Sequence, residues 1–129
     1  MRVHTVVALS ACFAAAFAAG SATSAAAGPA EAAALVLTTS GASGSAEAEL
    51  RCEPTGGTHA QAADACALLV SVDGDFDALE APAGSVCPAI YDPVAVTAKG
   101  QWRGAPVDHV REFTNGCELR AATGPVFAL

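Results

Sequence analysis

Ala46-Glu47-Ala48-Glu49-Leu50-Arg51-Cys52, followed one turn later by Thr58-His59-Ala60-Gln61-Ala62-Ala63-Asp64-Ala65-Cys66-Ala67-Leu68-Leu69-Val70, decides the fold class. In the first run Ala46, Ala48, Leu50 and Cys52 alternate with Glu47, Glu49 and Arg51. Strand side chains point to opposite faces with a period of two, so this is a half-buried strand with a solvated outer face. Pro54-Thr55-Gly56-Gly57 turns the chain. In the second run Ala62, Ala65, Cys66, Leu69 and Val70 fall at helical spacing. Thr58, three residues before Gln61, has the form of a capping box. The spacing predicts a helix from about His59 to about Val70, its apolar stripe on the sheet. Cys52 at the strand end and Cys66 on the helix stand where they can cross-link the two elements.

Upstream, Leu35-Val36-Leu37-Thr38-Thr39 reads as a strand, and Gly41-Ala42-Ser43-Gly44-Ser45 as the turn of a hairpin with Ala46–Cys52. Downstream, Val94, Val96 and Ala98 alternate with Ala95 and Thr97 as another strand, which Lys99-Gly100-Gln101 is expected to turn. Val107 to Phe113 reads as a further strand, broken by Thr114-Asn115-Gly116. A short helical turn is expected over Cys117 to Ala121, and Val126-Phe127-Ala128-Leu129 is expected to close the sheet. About five strands with one or two helices make an antiparallel α+β domain. Trp102, the only tryptophan, is assigned to the core. Phe76 and Leu79 are assigned to hold down the acidic loop Asp73-Gly74-Asp75-Phe76-Asp77. That loop departs from a calcium-binding loop: glycine is not at its sixth position, and Gly84, not glutamate, stands at its twelfth.

The beginning of the chain is of another kind. Met1-Arg2-Val3-His4 supplies a short positive start, Thr5 to Ala19 an apolar run, and Gly20 to Gly28 small residues. This is the three-part form of a secretory signal peptide, too short in its apolar part for a membrane span. Residues 1–27 are assigned to the signal, with cleavage after Ala22, Ala25 or Ala27, and residues 28–129 to one secreted domain. Leu9-Ser10-Ala11-Cys12 resembles a lipoprotein box, but the apolar run continues beyond Cys12. Without Arg2, five basic side chains face thirteen acidic ones, a net charge of −8. Nucleic acids and anionic membranes need a basic patch, so neither is an expected partner.

Loss of Cys12 leaves Cys52, Cys66, Cys87 and Cys117. An even set in a small secreted chain reads as two disulfides. Three pairings are open, the most local being Cys52–Cys66 with Cys87–Cys117. No Cys-x-x-Cys pair occurs, and no metal or other cofactor is expected. The chain also lacks a G-x-S-x-G elbow, a phosphate-binding glycine loop and H-E-x-x-H. His59 is expected to face water at its helix start, and His109 to have a surface or structural place in its strand. The reading is that the protein is not an enzyme.

What remains is Val86-Cys87-Pro88-Ala89-Ile90-Tyr91-Asp92-Pro93. Proline fixes its own φ and pushes the preceding residue toward extended backbone. Pro88 and Pro93 bracket Ala89-Ile90-Tyr91 and restrain Cys87 and Asp92. A rigid, exposed, extended segment tied down by a cysteine is what a protease cleft accepts as substrate. If it cannot relax after cleavage, it becomes an inhibitor.

The motifs then match a family. Cys52-Glu53-Pro54, Gly57-Thr58-His59 and Ala65-Cys66-Ala67-Leu68-Leu69 form one signature. Ser85-Val86-Cys87-Pro88, Tyr91-Asp92-Pro93, Gly100-Gln101-Trp102 and Phe113-Thr114-Asn115-Gly116-Cys117 form a second. From Leu35 to Leu129 the chain resembles the Streptomyces subtilisin inhibitor family of secreted serine-protease inhibitors. It departs at Ala60, where the family usually has proline. The resemblance implies a five-stranded antiparallel sheet with two helices, disulfides Cys52–Cys66 and Cys87–Cys117, and a homodimer engaging one protease per subunit. It places the reactive bond at Ala89–Ile90, with Ala89 as P1, Pro88 as P2, Cys87 as P3, Val86 as P4, and Ile90 and Tyr91 as P1′ and P2′. Asn115 is expected to brace the loop by hydrogen bonds. An uncharged, small Ala89 and an apolar Val86 point to subtilisin-like enzymes, secondarily elastase-like ones, and away from trypsin. The rival readings are a secreted binding domain that no longer inhibits, and a substrate of a protease or transglutaminase.

Overall fold

The computed structural model describes residues 32–129. The signal peptide expected over residues 1–27 lies outside them. Strands β1 (Ala33–Gly41), β2 (Gly44–Cys52), β3 (Gly56–Gly57), β4 (Val94–Trp102) and β5 (Ala105–Phe113) form one antiparallel sheet in the order β3-β2-β1-β4-β5. Helix α1 (Ala62–Ser71) and a 3-10 turn (Phe76–Ala78) lie between β3 and β4, and α2 (Gly116–Thr123) follows β5.

The alternation of the sequence is the alternation of burial. Ala48, Leu50 and Cys52 of β2 are buried, as are Ala33, Leu35 and Leu37 of β1. The register sets Leu35 opposite Leu50, Ala33 between Cys52 and Trp102, and Leu37 between Ala48 and Ala98. These cross-strand neighbours share one face. Ala65, Cys66 and Leu69 of α1 are buried with them in one apolar core. Burying a leucine side chain completely stabilises the fold by about 2 kcal/mol, as at Leu37, Leu50 and Leu69. The Cys52–Cys66 disulfide joins the end of β2 to α1. Phe76, Leu79 and Trp102 are all buried. The indole Nε1 of Trp102 donates to Asp73 Oδ1 at 3.3 Å, and Arg103 bonds Asp73 at 3.0 Å and Glu53 at 2.8 Å. This cluster ties the ends of β2, α1 and β4 together.

Several local expectations are corrected. The helix begins at Ala62, not near His59, and its N-cap Gln61 makes no side-chain capping bond. The Thr58 hydroxyl is already taken: it accepts from the Glu49 backbone N–H at 2.9 Å. Ala60 therefore precedes the helix. His59 does not face water; it is 6 % exposed. Its Nδ1 accepts from the Gln61 N–H, and its Nε2 lies 3.0 Å from Val126 O. Val70 falls off the buried stripe and is exposed.

Lys99-Gly100-Gln101 does not turn β4, which runs on to Trp102 before turning at Arg103 and Gly104. Gly100 is there because β1 crowds it: a Cβ would overlap the carbonyl oxygen of Ala34. Val126-Phe127-Ala128-Leu129 does not close the sheet; the fifth strand is the two-residue β3. Val126 and Phe127 are buried in a turn after α2 instead.

Candidate functional site

The segment between the 3-10 turn and β4 is held by its backbone at successive points. Asp75 caps the 3-10 turn, accepting from the Asp77 N–H at 3.0 Å. The buried Leu79 follows, and Arg111 of β5 donates Nη1 to its carbonyl at 3.1 Å. The Arg111 guanidinium stacks over the Phe113 ring, 4.5 Å from its centroid. Next, Pro82-Ala83-Gly84-Ser85 reverses the chain. Both the N–H and the hydroxyl of Ser85 donate to Pro82 O, at 3.1 and 2.7 Å. Gly84 has φ 85°, which its lack of a Cβ permits.

Beyond that turn the chain emerges. Val86 is 90 % exposed and Tyr91 78 %, and Pro88, Ala89 and Ile90 are exposed too. Cys87 is pinned to Cys117 in the first turn of α2. The Ile90 N–H donates to Pro88 O at 2.8 Å, forming a tight bend about Ala89. The Asp92 N–H donates to Thr114 O at 2.9 Å, returning the chain to the sheet. Residues 86–91 carry no acidic or basic side chain.

Behind this bend sits Asn115, 5 % exposed. A side-chain amide offers two donors and an oxygen with two lone pairs, and here both ends work. Oδ1 accepts from the N–H groups of Cys117 and Glu118 at 3.0 Å each, capping α2. Nδ2 donates to Pro88 O at 3.2 Å and to Ile90 O at 2.9 Å. The amide thus spans the Ala89–Ile90 peptide bond, with one contact on either side of it. A groove of about 630 Å³ runs beside the upstream limb, lined by Glu80, Ser85, Val86, Cys87, Arg111 and Glu118, among others.

The structure therefore gathers Val86, Cys87, Pro88, Ala89, Ile90 and Tyr91 in one exposed loop, with Asn115 beneath it and Cys117 beside it. Sequence reasoning missed the grip of Arg111 on Leu79, the Pro82–Ser85 turn and the capping role of Asn115. The last was readable: Asn115 with Glu118 three residues on is the pattern of a helix start. The three aspartates of the acidic loop are engaged with protein groups: Asp73 with Trp102 and Arg103, Asp75 with the backbone, and Asp77 3.4 Å from His109. Among the described residues no group of three or more His, Cys, Asp or Glu could hold a metal ion.

Comparison with known proteins agrees with this geometry. Residues 31–115 match the model of the subtilisin inhibitor-like family. The chain is 49 % identical over 80 residues to subtilisin inhibitor-like protein 5 of Streptomyces fradiae, covering 61 % of this chain and 75 % of that one. It is 45 % identical over 102 residues to a trypsin inhibitor of Streptomyces longisporus, covering 74 % of this chain and 71 % of that one. Among solved structures it is similar to Streptomyces caespitosus sermetstatin in complex with Bacillus licheniformis subtilisin. The TM-score is 0.63 at 33 % identity, covering 74 % of this chain and 97 % of that one. With the match running from the first strand to the residue that caps the last helix, this chain belongs to the subtilisin inhibitor-like family.

Proposed function

We propose that this protein is a substrate-like inhibitor of serine endopeptidases, chiefly subtilisin-like ones, with Ala89–Ile90 as its reactive bond. The observation that carries the reading is the Asn115 amide, which holds Pro88 O and Ile90 O on the two sides of that bond. A flexible peptide loses conformational freedom when it enters a cleft. This loop has lost most of it beforehand, through two prolines, a disulfide and four backbone anchors. It presents Val86, Cys87, Pro88 and Ala89 on the P4 to P1 side and Ile90 and Tyr91 on the P1′ and P2′ side. When the protease cuts Ala89–Ile90, Asn115 and the Cys87–Cys117 bridge keep the new ends in place. The Ile90 amine stays beside the acyl carbon of Ala89, and religation outruns release.

The bound subtilisin of the sermetstatin structure supports this partner class. The exposed, uncharged Ala89 supports the preference for subtilisin over trypsin. The same reading makes the protein an inhibitor with no catalytic residue and no cofactor. Residues 1–27 act as its secretory signal, and residues 28–129 as the extracellular domain. A homodimer is part of the proposal. The face of the sheet opposite the core supports it, carrying exposed Val36 and Val110 with Thr38 and Thr97 hydrogen-bonded between them.

Titration of subtilisin with the purified, oxidised protein, trypsin in parallel, tests the function. Near-stoichiometric loss of subtilisin activity with trypsin spared is expected. Rapid, complete cleavage at Ala89–Ile90 with no lasting loss of activity would make the protein a substrate instead.

A further inference from the structure

We propose that Asn115–Gly116 is a deamidation site, held closed by the contacts that brace the oxidised loop and opened when the loop is untied. An asparagine followed by glycine is the dipeptide in which the next backbone nitrogen meets least obstruction on its way to the side chain. The Gly116 nitrogen attacks Asn115 Cγ and gives up its proton to water or hydroxide. A carbon–nitrogen bond forms, and the side-chain nitrogen leaves as ammonia. Water then opens the five-membered imide to aspartate or isoaspartate. No reagent beyond water and mild base is needed.

In the folded protein this path is blocked. Asn115 is buried in extended backbone, φ −163° and ψ 170°, and its side chain makes four hydrogen bonds. To reach the imide, Cγ must swing over the Gly116 nitrogen. That rotation breaks all four bonds and pulls Gly116 out of the first turn of α2. The four bonds belong to two groups. Two come from α2 itself; the other two go to Pro88 and Ile90, which stay in place because Cys87 is fastened to Cys117. That disulfide is also the reachable one. Cys87 and Cys117 are half-buried, whereas Cys52 and Cys66 lie in the core. A thiolate needs access to sulfur, so reduction opens the loop bridge first.

The product is selective in its damage. An aspartate at position 115 still accepts from Cys117 and Glu118, and its charge suits a helix N-terminus. It has no donor for Pro88 O or Ile90 O, and its second oxygen repels both. The helix stays capped while the loop loses its brace, so deamidation is a one-way conversion of inhibitor toward substrate. This consequence rests on the proposed function; the chemistry at Asn115 does not.

The test compares the oxidised protein with protein whose Cys87–Cys117 bridge has been selectively reduced and alkylated, both held in mildly alkaline buffer. Peptide mapping follows the mass gain of amide becoming acid and separates aspartate from isoaspartate at position 115. Loss of two ordinary hydrogen bonds predicts deamidation roughly tenfold or more faster in the reduced form. Gly116→Ala should suppress it in both. The added Cβ meets only Arg120 Nη1, 3.3 Å away at the end of a flexible side chain, so the variant should fold. Asn115→Asp should melt cooperatively yet inhibit subtilisin roughly tenfold or more weakly and be cut at Ala89–Ile90. Equal rates in oxidised and reduced protein, or insensitivity to Gly116→Ala, would each overturn the deamidation site, and full inhibition by Asn115→Asp would overturn its consequence for the loop. If the parent protein fails to inhibit subtilisin, the functional reading falls, while the deamidation rates still decide the site.

Discussion

Replacing each disulfide in turn by two serines separates what the bridges do for stability from what they do for the loop. Cys87–Cys117 closes 30 residues of chain and Cys52–Cys66 closes 14. The loop-closure relation gives about 3.6 kcal/mol for the first and about 3.0 kcal/mol for the second. On chain entropy alone the two double variants lose similar stability. Burial then reverses their order. Cys52 and Cys66 lie in the core, so Cys52→Ser with Cys66→Ser places two hydroxyls in apolar surroundings and costs about 1–3 kcal/mol more for each one left unpaired. Cys87→Ser with Cys117→Ser puts its hydroxyls at the half-exposed loop root.

Inhibition should run the other way. Untying Cys87 frees about two residues of the upstream limb, at about 1–2 kcal/mol each to reorder on binding. That weakens binding to subtilisin roughly 30- to 1000-fold. The Cys52–Cys66 variant leaves the loop anchors in place. Urea denaturation ranks stability, and subtilisin titration with prolonged incubation, below both unfolding transitions, ranks inhibition. The expected result is a crossing: the less stable variant is the better inhibitor. If inhibition simply follows stability across the two variants, the loop bridge is not a specific restraint and the argument fails.

Ala89→Lys should give near-stoichiometric inhibition of trypsin with an unchanged Tm, because Ala89 is exposed. Failure to inhibit trypsin, with the loop uncut, removes Ala89 from the P1 position. At the opposite corner, the Arg103 hydrogen bond, aided by the charge of Arg103, holds the Glu53 carboxyl below its usual value. A carboxyl with a lowered pKa in the folded state adds stability above its ordinary pKa and loses it as pH falls through the lowered value. Glu53→Gln should therefore flatten the acid limb of a Tm-against-pH curve. Superimposable acid limbs for variant and parent would refute that contribution, which exposure keeps small.

The larger elements were legible because their signals are repeated. Ala46 to Cys52 alternates over seven residues, and the apolar positions Ala65, Cys66 and Leu69 recur at the helical period. The smaller ones were not. β3 is Gly56–Gly57, two residues without side chains, so no pattern exists to read. Val126-Phe127-Ala128-Leu129 is too short to tell a strand from a buried turn. The helix start was misplaced because the Thr58 hydroxyl has two possible users, α1 and β2, and the tertiary fold gives it to β2. Gly100 looked like a turn residue but is a point of close strand approach. The loop itself was plain from Cys87, Pro88 and Pro93. The atoms that hold it were not, since Asn115 meets carbonyls 25 and 27 residues upstream.

Those supporting contacts share one property. Arg111 holds the carbonyl of Leu79, Ser85 that of Pro82, Asn115 those of Pro88 and Ile90, and the carbonyl of Thr114 takes the N–H of Asp92. Each grips the loop by its backbone. The side chains of Val86, Ala89, Ile90 and Tyr91 are left in solvent. Frame and address are therefore carried by different atoms. Exchanging an exposed side chain alters what a cleft can accept without disturbing a hydrogen bond that shapes the loop. Exchanging Asn115 or Arg111 alters the shape without replacing any of the exposed side chains of the loop. On the proposed function, a loop built this way is open to redirection to a new protease by single substitutions, while its survival of cleavage rests on the residues that hold its backbone from beneath.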